Sequence, residues 1–190
     1  MNMIQSFTFV PWGNSYYQIN DCPTGTYSHA NRMCWNSACN VTSPPSNCFQ
    51  GKQICQFGEK DCYANRLEAC ALKHYSNNLT QSLLFINCYE GTHVPSNTTA
   101  ISCATETNMD YTVLEKCVNG LEGKQLDSKN AKLTALIPGG HLLTPWPVLN
   151  GVTLDRSANL LKAICDAYTV RIYRQYVQSN NVQEVGRFEF

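Results

Sequence analysis

Eleven cysteines stand out as the residues of this 190-residue chain able to do chemistry: Cys22, Cys34, Cys39, Cys48, Cys55, Cys62, Cys70, Cys88, Cys103, Cys117 and Cys165. Thiols at this density can exchange disulfides, ligate a metal or cross-link the fold. Exchange needs a reactive dithiol, usually C-x-x-C at a helix start, where the N-terminus stabilises the attacking thiolate and the second cysteine resolves the mixed disulfide. No C-x-x-C occurs anywhere in the chain. The nearest substitute, Cys34-Trp-Asn-Ser-Ala-Cys39, is too widely spaced and reads as a local structural bridge. Cys70 and His74 stand at i and i+4 on an expected helix, a spacing that can hold a metal. Cys70 reads as bridged, however, and His29, His93 and His141 are scattered, so neither metal nor cofactor is expected. Cross-linking remains: all eleven are read as structural cysteines of open pairing, an odd set that leaves one over.

Three N-glycosylation acceptors, Asn40-Val41-Thr42, Asn78-Leu79-Thr80 and Asn97-Thr98-Thr99, agree with the cysteines. Together they predict a secretory-pathway glycoprotein, secreted or extracellular, with the lysosome as the alternative. The balance of 14 basic against 14 acidic residues, with 15% charged, excludes an electrostatic nucleic-acid binder, which needs a basic face to displace counterions. No run of 18 apolar residues exists to span a membrane. Paired carboxylates for acid–base work and a phosphate-cradling glycine loop are also lacking in the pattern.

Residues 1–13 lack the basic start and apolar run of a signal peptide. Their alternation reads instead as a strand over 4–10, ending at Pro11. A secretory chain that opens on a strand predicts either a further portion upstream or a domain that has dispensed with it. Residues 13–61 show almost no periodicity. A structureless stretch of that length needs staples, and closing a loop of about 15 residues contributes roughly 3 kcal/mol. Helical spacing follows over 62–76, 79–88, 109–118 and 123–136, the last stopped by Pro138-Gly139-Gly140. Thr144 to Gly151 predicts a short strand running into an Asn-Gly hairpin turn. Ser157 is the expected cap of a helix over 158–168. The tail adds a basic amphipathic segment over 170–177 and a strand-like end, 184–190, whose Phe188-Glu189-Phe190 is expected to pair with residues 4–10. Few strands with helices between them predict an α/β class.

The densest pattern runs from Cys55 to Cys70: Cys55-Gln56-Phe57-Gly58-Glu59-Lys60-Asp61-Cys62-Tyr63-Ala64-Asn65-Arg66-Leu67-Glu68-Ala69-Cys70. It resembles the signature C-Q-H-G-x-x-E-C-x-x-N-x-x-x-x-C of the gamma-interferon-inducible lysosomal thiol reductase (GILT) family. Cys55, Gln56, Gly58, Cys62, Asn65 and Cys70 match in identity and spacing; Phe57 replaces the family histidine and Asp61 the glutamate. Val10-Pro11-Trp12-Gly13-Asn14 is similar to the family's V-P-Y-G-N. Cys117 through Leu136 is similar to its late helix. His141, Thr144-Pro145-Trp146 and Asn150-Gly151 are similar to its H-x-x-V-P-W-V-x-V-N-G element. The resemblance covers roughly residues 7–168.

The resemblance implies an incomplete or modified thioredoxin-like fold with a helical, disulfide-rich insertion. A single domain over 1–190 would place the thioredoxin-like core at 4–14 and 141–168. The stapled insertion would then occupy 15–54, the helical insertion 55–136, and a C-terminal extension 170–190. Family members reduce protein disulfides at acidic pH through a C-x-x-C that follows the first strand. Thr144 and Pro145 would be the relic of the cis-proline element that faces this dithiol. Since the dithiol is absent here, the sequence resembles the catalytically silent, secreted insect members of the family, including mosquito salivary ones. The expectation is therefore a pseudo-enzyme that binds another protein, such as a cell-surface or pathogen protein. The alternative is an active reductase whose C-x-x-C lies upstream of Met1. Tyr16, Tyr17, Tyr27, Trp35 and Phe49 are the aromatics expected either at the contact or over the disulfides.

Overall fold

A computed structural model describes residues 6–92, 96–137, 140–141, 143–155 and 158–179, with side chains to residue 169. The chain divides into two compact units, one of residues 8–144 and one of residues 1–7 with 145–190. The larger is mostly helical. Its elements are β1 (Tyr16–Tyr17), α1 (His29–Cys39), β2 (Gln53–Ile54), α2 (Glu59–His74), α3 (Leu79–Glu90), α4 (Asn97–Glu106), α5 (Tyr111–Asn119) and α6 (Leu121–Ala135).

Most of these helices begin where the sequence offers an acceptor for otherwise orphaned N–H groups. Ser28 accepts from the Asn31 N–H (3.0 Å), Asn78 from Gln81 (3.1 Å) and Ser96 from Thr99 (3.2 Å). Asp110 accepts from Thr112 (2.9 Å). Helix α2 opens instead on Gly58, whose φ of +84° suits glycine alone among common residues. Glu59 and Asp61 in its first turn, with Lys73 and His74 in its last, complement the helix dipole.

Helices α2 to α5 enclose one core, including Leu67, Cys70, Phe85, Tyr89, Cys103, Leu114, Cys117 and Val118. A second core gathers Trp12, Tyr16, Tyr17, Ile19, Trp35, Cys39, Cys48 and Ile54, with Ala131 and Ala135 of α6. The aromatics of the 15–54 segment thus divide. Tyr16, Tyr17 and Trp35 are buried, while Tyr27 and Phe49 flank that core half-covered. The Trp35 indole N–H donates to the Cys48 carbonyl (2.8 Å), tying α1 to its stapled loop.

Helices α2, α3, α5 and α6 agree with the expected spacings within a few residues. Two helices depart from expectation. Helix α1 lies inside the stretch read as structureless, and α4 falls between the spans read as helical at 79–88 and 109–118. The expected strand over 4–10 is not formed at residues 6–10, which are irregular, with Phe7 and Phe9 exposed. Its alternation lacks a neighbouring strand at those residues. Residues 1–5 and the expected pairing segment 188–190 lie outside the described residues. Tyr16–Tyr17 and Gln53–Ile54 pair instead as a short antiparallel ladder.

In the smaller unit, β3 (Val148–Leu149) pairs antiparallel with β4 (Val152–Thr153). The turn residues Asn150 and Gly151 have φ of +51° and +82°, the double left-handed geometry of a type I′ turn, as the Asn-Gly pair predicts. Helix α7 (Leu160–Ser179) absorbs the tail segment expected to stand apart from it. Asn159 accepts from the Lys162 N–H (2.9 Å) at its start; Ser157 lies outside the described residues. The protein is thus a helix-rich α/β chain, and its described strands form two two-stranded sheets.

Candidate functional site

The signature segment is a braced loop. Cys55 and Cys62 close a disulfide across the entry to α2. Within it the Phe57 N–H donates to Asp61 Oδ2 (3.2 Å). Asn14 Nδ2 donates to Gln56 Oε1 (2.8 Å), and the Ser15 hydroxyl to Cys55 Sγ (3.0 Å). Asn65, nearly two turns into α2, donates from Nδ2 to the Trp12 carbonyl and to Ser15 Oγ, both at 3.3 Å. Gln56 and Asn65 therefore hold the Val10–Ser15 loop against α2. Phe57, at the histidine position of the pattern, is 79% exposed and carries the largest uncovered apolar surface of the loop.

The same loop is held from its far side. Asn130 Nδ2 of α6 donates to the Pro11 carbonyl (2.9 Å). His141, 3% exposed, lies with Nε2 3.0 Å from the Gly13 carbonyl. That carbonyl can only accept, so Nε2 carries the proton and Nδ1 accepts from Arg32 Nη1 (3.3 Å). Burial, then the Arg32 charge, lowers the His141 pKa to about 4 and keeps the ring neutral. Arg32 is itself 1% exposed, and its Nε has no partner among the described residues. Sequence reasoning missed this Arg32–His141 contact, whose members are 109 residues apart.

A second buried polar group lies between α2 and α6. Arg66 Nε donates to Asp127 Oδ2 at 2.6 Å. Burial raises the Asp127 pKa to about 6 even though Arg66 pulls it down. Glu68, 5% exposed, is held well above the usual carboxylate range, first by burial and then by the neighbouring Glu90.

Ten of the eleven cysteines are bridged: Cys22–Cys34, Cys39–Cys48, Cys55–Cys62, Cys70–Cys117 and Cys88–Cys103. Cys34 and Cys39 do not join each other, as their spacing suggested; each takes a partner outside the pair, because both lie on α1 and the loops at 22 and 48 pack against it. Cys165, grouped in the sequence with the structural cysteines, is unpaired and exposed on α7. Thr144 and Pro145 are exposed in a bend ahead of β3. Asn40, Asn78 and Asn97 are all exposed. His74, expected beside Cys70, pairs with Glu122 (3.0 Å).

Comparison with known proteins bears on the same segment. The family model described as gamma interferon inducible lysosomal thiol reductase (GILT) matches residues 37–107, which contain the whole signature. The chain belongs to the GILT family. A gamma-interferon-responsive lysosomal thiol protein of Arabidopsis thaliana is 33% identical over 118 residues, 60% of this chain and 48% of that protein. The gamma-interferon-inducible lysosomal thiol reductase of Mus musculus is 30% identical over 139 residues, 68% of this chain and 54% of that one. A GILT-like protein of Anopheles gambiae is 29% identical over 99 residues, 45% and 41% respectively. The chain thus spans about half the length of the curated GILT relatives it matches.

Proposed function

We propose that this chain acts by binding protein through the braced GILT signature loop, and not by exchanging disulfides with a dithiol of its own. The observation that carries this is the state of the sulfur: ten cysteines are bridged, and none of the eleven belongs to a C-x-x-C. Cys165 is the one unpaired thiol, and every other cysteine is already bridged, so no free thiol of this chain stands ready to resolve a mixed disulfide. A rigid loop presenting an exposed phenylalanine suits recognition, since a side chain ordered in advance loses little entropy on docking. The three exposed sequon asparagines and the disulfides fit an oxidising secretory or lysosomal compartment. In this reading the partner is a protein surface, such as one on a host cell or a microbe, and the protein is a secreted pseudo-enzyme of a thioredoxin-like family.

Membership of a thiol reductase family favours a second reading, in which the full protein reduces disulfides with a dithiol outside these 190 residues. Thr144 and Pro145 would then face that dithiol. The deciding experiment is a disulfide-reduction assay at acidic pH on the natural protein, with its N-terminus sequenced. Inactivity, unchanged by thiol alkylation, is the expected result; turnover abolished by alkylation would establish the reductase instead.

A further inference from the structure

The Cys70–Cys117 bridge lies where three helix ends converge: the last turn of α2, the end of α5 and the first turn of α6. On α2, His74 follows Cys70 by one turn. Its Nε2 is 3.0 Å from Glu122 Oε2 on α6. Gly123 permits this approach. A Cβ there would lie 2.6 Å from the Cys117 carbonyl and 2.7 Å from Arg66 Cδ, so no larger residue lets α6 start against α5. Consequently the His74, Cys117 and Glu122 donor atoms all lie within 4.8 Å of one another, and Cys70 Sγ is bonded to Cys117 Sγ at 2.01 Å.

Two sulfurs, one imidazole nitrogen and one carboxylate oxygen are the donor types of a closed tetrahedral zinc site. With metal–ligand bonds of about 2.0–2.3 Å, the edges of such a tetrahedron are about 3.3–3.8 Å. The His74–Glu122 separation is already close to that, and the sulfurs need only part from their bond. While the disulfide stands, its sulfurs are poor donors, so the bridge and the metal are alternative occupants of one place. We propose that Cys70, His74, Cys117 and Glu122 form a redox-gated site for Zn2+, closed in the oxidised chain and created when this one bridge is reduced.

In the gating step, a dithiol reductant gives two electrons to the bridge and closes to its own disulfide. The Cys70–Cys117 bond breaks, and the two thiol protons pass to these cysteines. Zn2+ then displaces both protons to solvent and takes the two thiolates, the His74 nitrogen and one Glu122 oxygen. Metal capture would hold α2, α5 and α6 together after the covalent link is lost. The second candidate group, Cys88, Cys103 and Glu106, offers no histidine and serves as an internal control.

The test uses the full chain reduced with a water-soluble phosphine and titrated with Co2+, whose visible spectrum distinguishes tetrahedral thiolate coordination. The expected result is a tetrahedral band saturating at one equivalent, absent from the oxidised chain and displaced by Zn2+. His74→Ala and Glu122→Gln should each weaken binding by about tenfold or more, while Cys88→Ser with Cys103→Ser leaves the band intact. Zn2+ should protect Cys70 and Cys117 from alkylation and leave Cys88 and Cys103 reactive. No band, a band indifferent to His74→Ala, or protection spread over all cysteines would overturn the proposal. A reduced chain that unfolds and gathers metal at random thiols gives the last two results.

Discussion

Asn65 shows what a signature residue does for the fold. Its amide satisfies the Trp12 carbonyl and the Ser15 hydroxyl in a buried setting, so Asn65→Ala leaves both without that donor. The expected cost is about 1–3 kcal/mol, read by chemical denaturation, with the Val10–Ser15 loop loosened in hydrogen exchange. Titratable residues supply a second expectation. His141, with its pKa lowered from 6.5 to about 4, costs stability as pH falls through that window, by about 3 kcal/mol. Asp127, raised from 3.8 to about 6, gains a similar amount over nearly the same window, and the two largely cancel. Glu68 adds a slope of its own. Its carboxyl is held neutral in the fold, so its contribution is fully present below its unfolded pKa and is lost as pH rises through the raised folded one. Glu68→Gln, which mimics the neutral acid, should match the parent in thermal unfolding at acidic pH and exceed it at neutral pH. A gap constant with pH would show that Glu68 does not titrate in this way. The signature residues are legible in the sequence because their spacing is specific. Arg32, Glu68 and Asp127 are not, because a buried charge betrays nothing of its burial until its partners, from distant elements, are known.

Among the elements, the long helices are legible wherever apolar residues recur at helical spacing. Helix α1 is not: His29, Asn31, Arg32, Asn36 and Ser37 interrupt its stripe, and Trp35 and Cys39 supply most of its buried apolar surface. Its capping Ser28 is the one local signal, as Ser96 is for α4. The Asn-Gly hairpin needs only local chemistry, and its sequence predicts it correctly. A strand over 4–10 would need a partner strand, which alternation alone does not supply. The bridges among these elements are unequal. Cys70–Cys117 spans 47 residues and Cys55–Cys62 only 7. By chain entropy their removal costs about 4 and about 2.4 kcal/mol respectively. Double alanine variants compared by denaturant unfolding should keep that order. Equal losses would mean that lost core packing outweighs loop closure, since Cys70 and Cys117 also line an apolar core.

At the scale of the whole chain, equal numbers of acidic and basic residues leave no net charge to steer a charged partner, so the proposed binding would rest on surface shape and apolar contact. The three sequon asparagines are exposed on the α1 C-cap, the α3 N-cap and the first turn of α4. Asn78 caps through Oδ1, while a glycan attaches at Nδ2, so cap and sugar are compatible. Expression through a secretory pathway should give glycosidase-sensitive mass removed in up to three steps, one lost with each Asn→Gln substitution. The bridges also decide which backbone breaks matter. A cut inside the loops 22–34, 39–48, 55–62 or 70–117 leaves its two ends covalently joined. Between Cys22 and Cys117, the stretches outside every loop are 35–38 and 63–69, both within helices, and 49–54. Only the last exposes backbone outside a helix, at Gln50–Lys52. A protease that nicks one of these loops therefore leaves a molecule whose pieces stay covalently joined until its disulfides are reduced, whereas one break after Lys52 leaves no disulfide between the α1 segment and the signature helix, which only their shared core and hydrogen bonds then hold together.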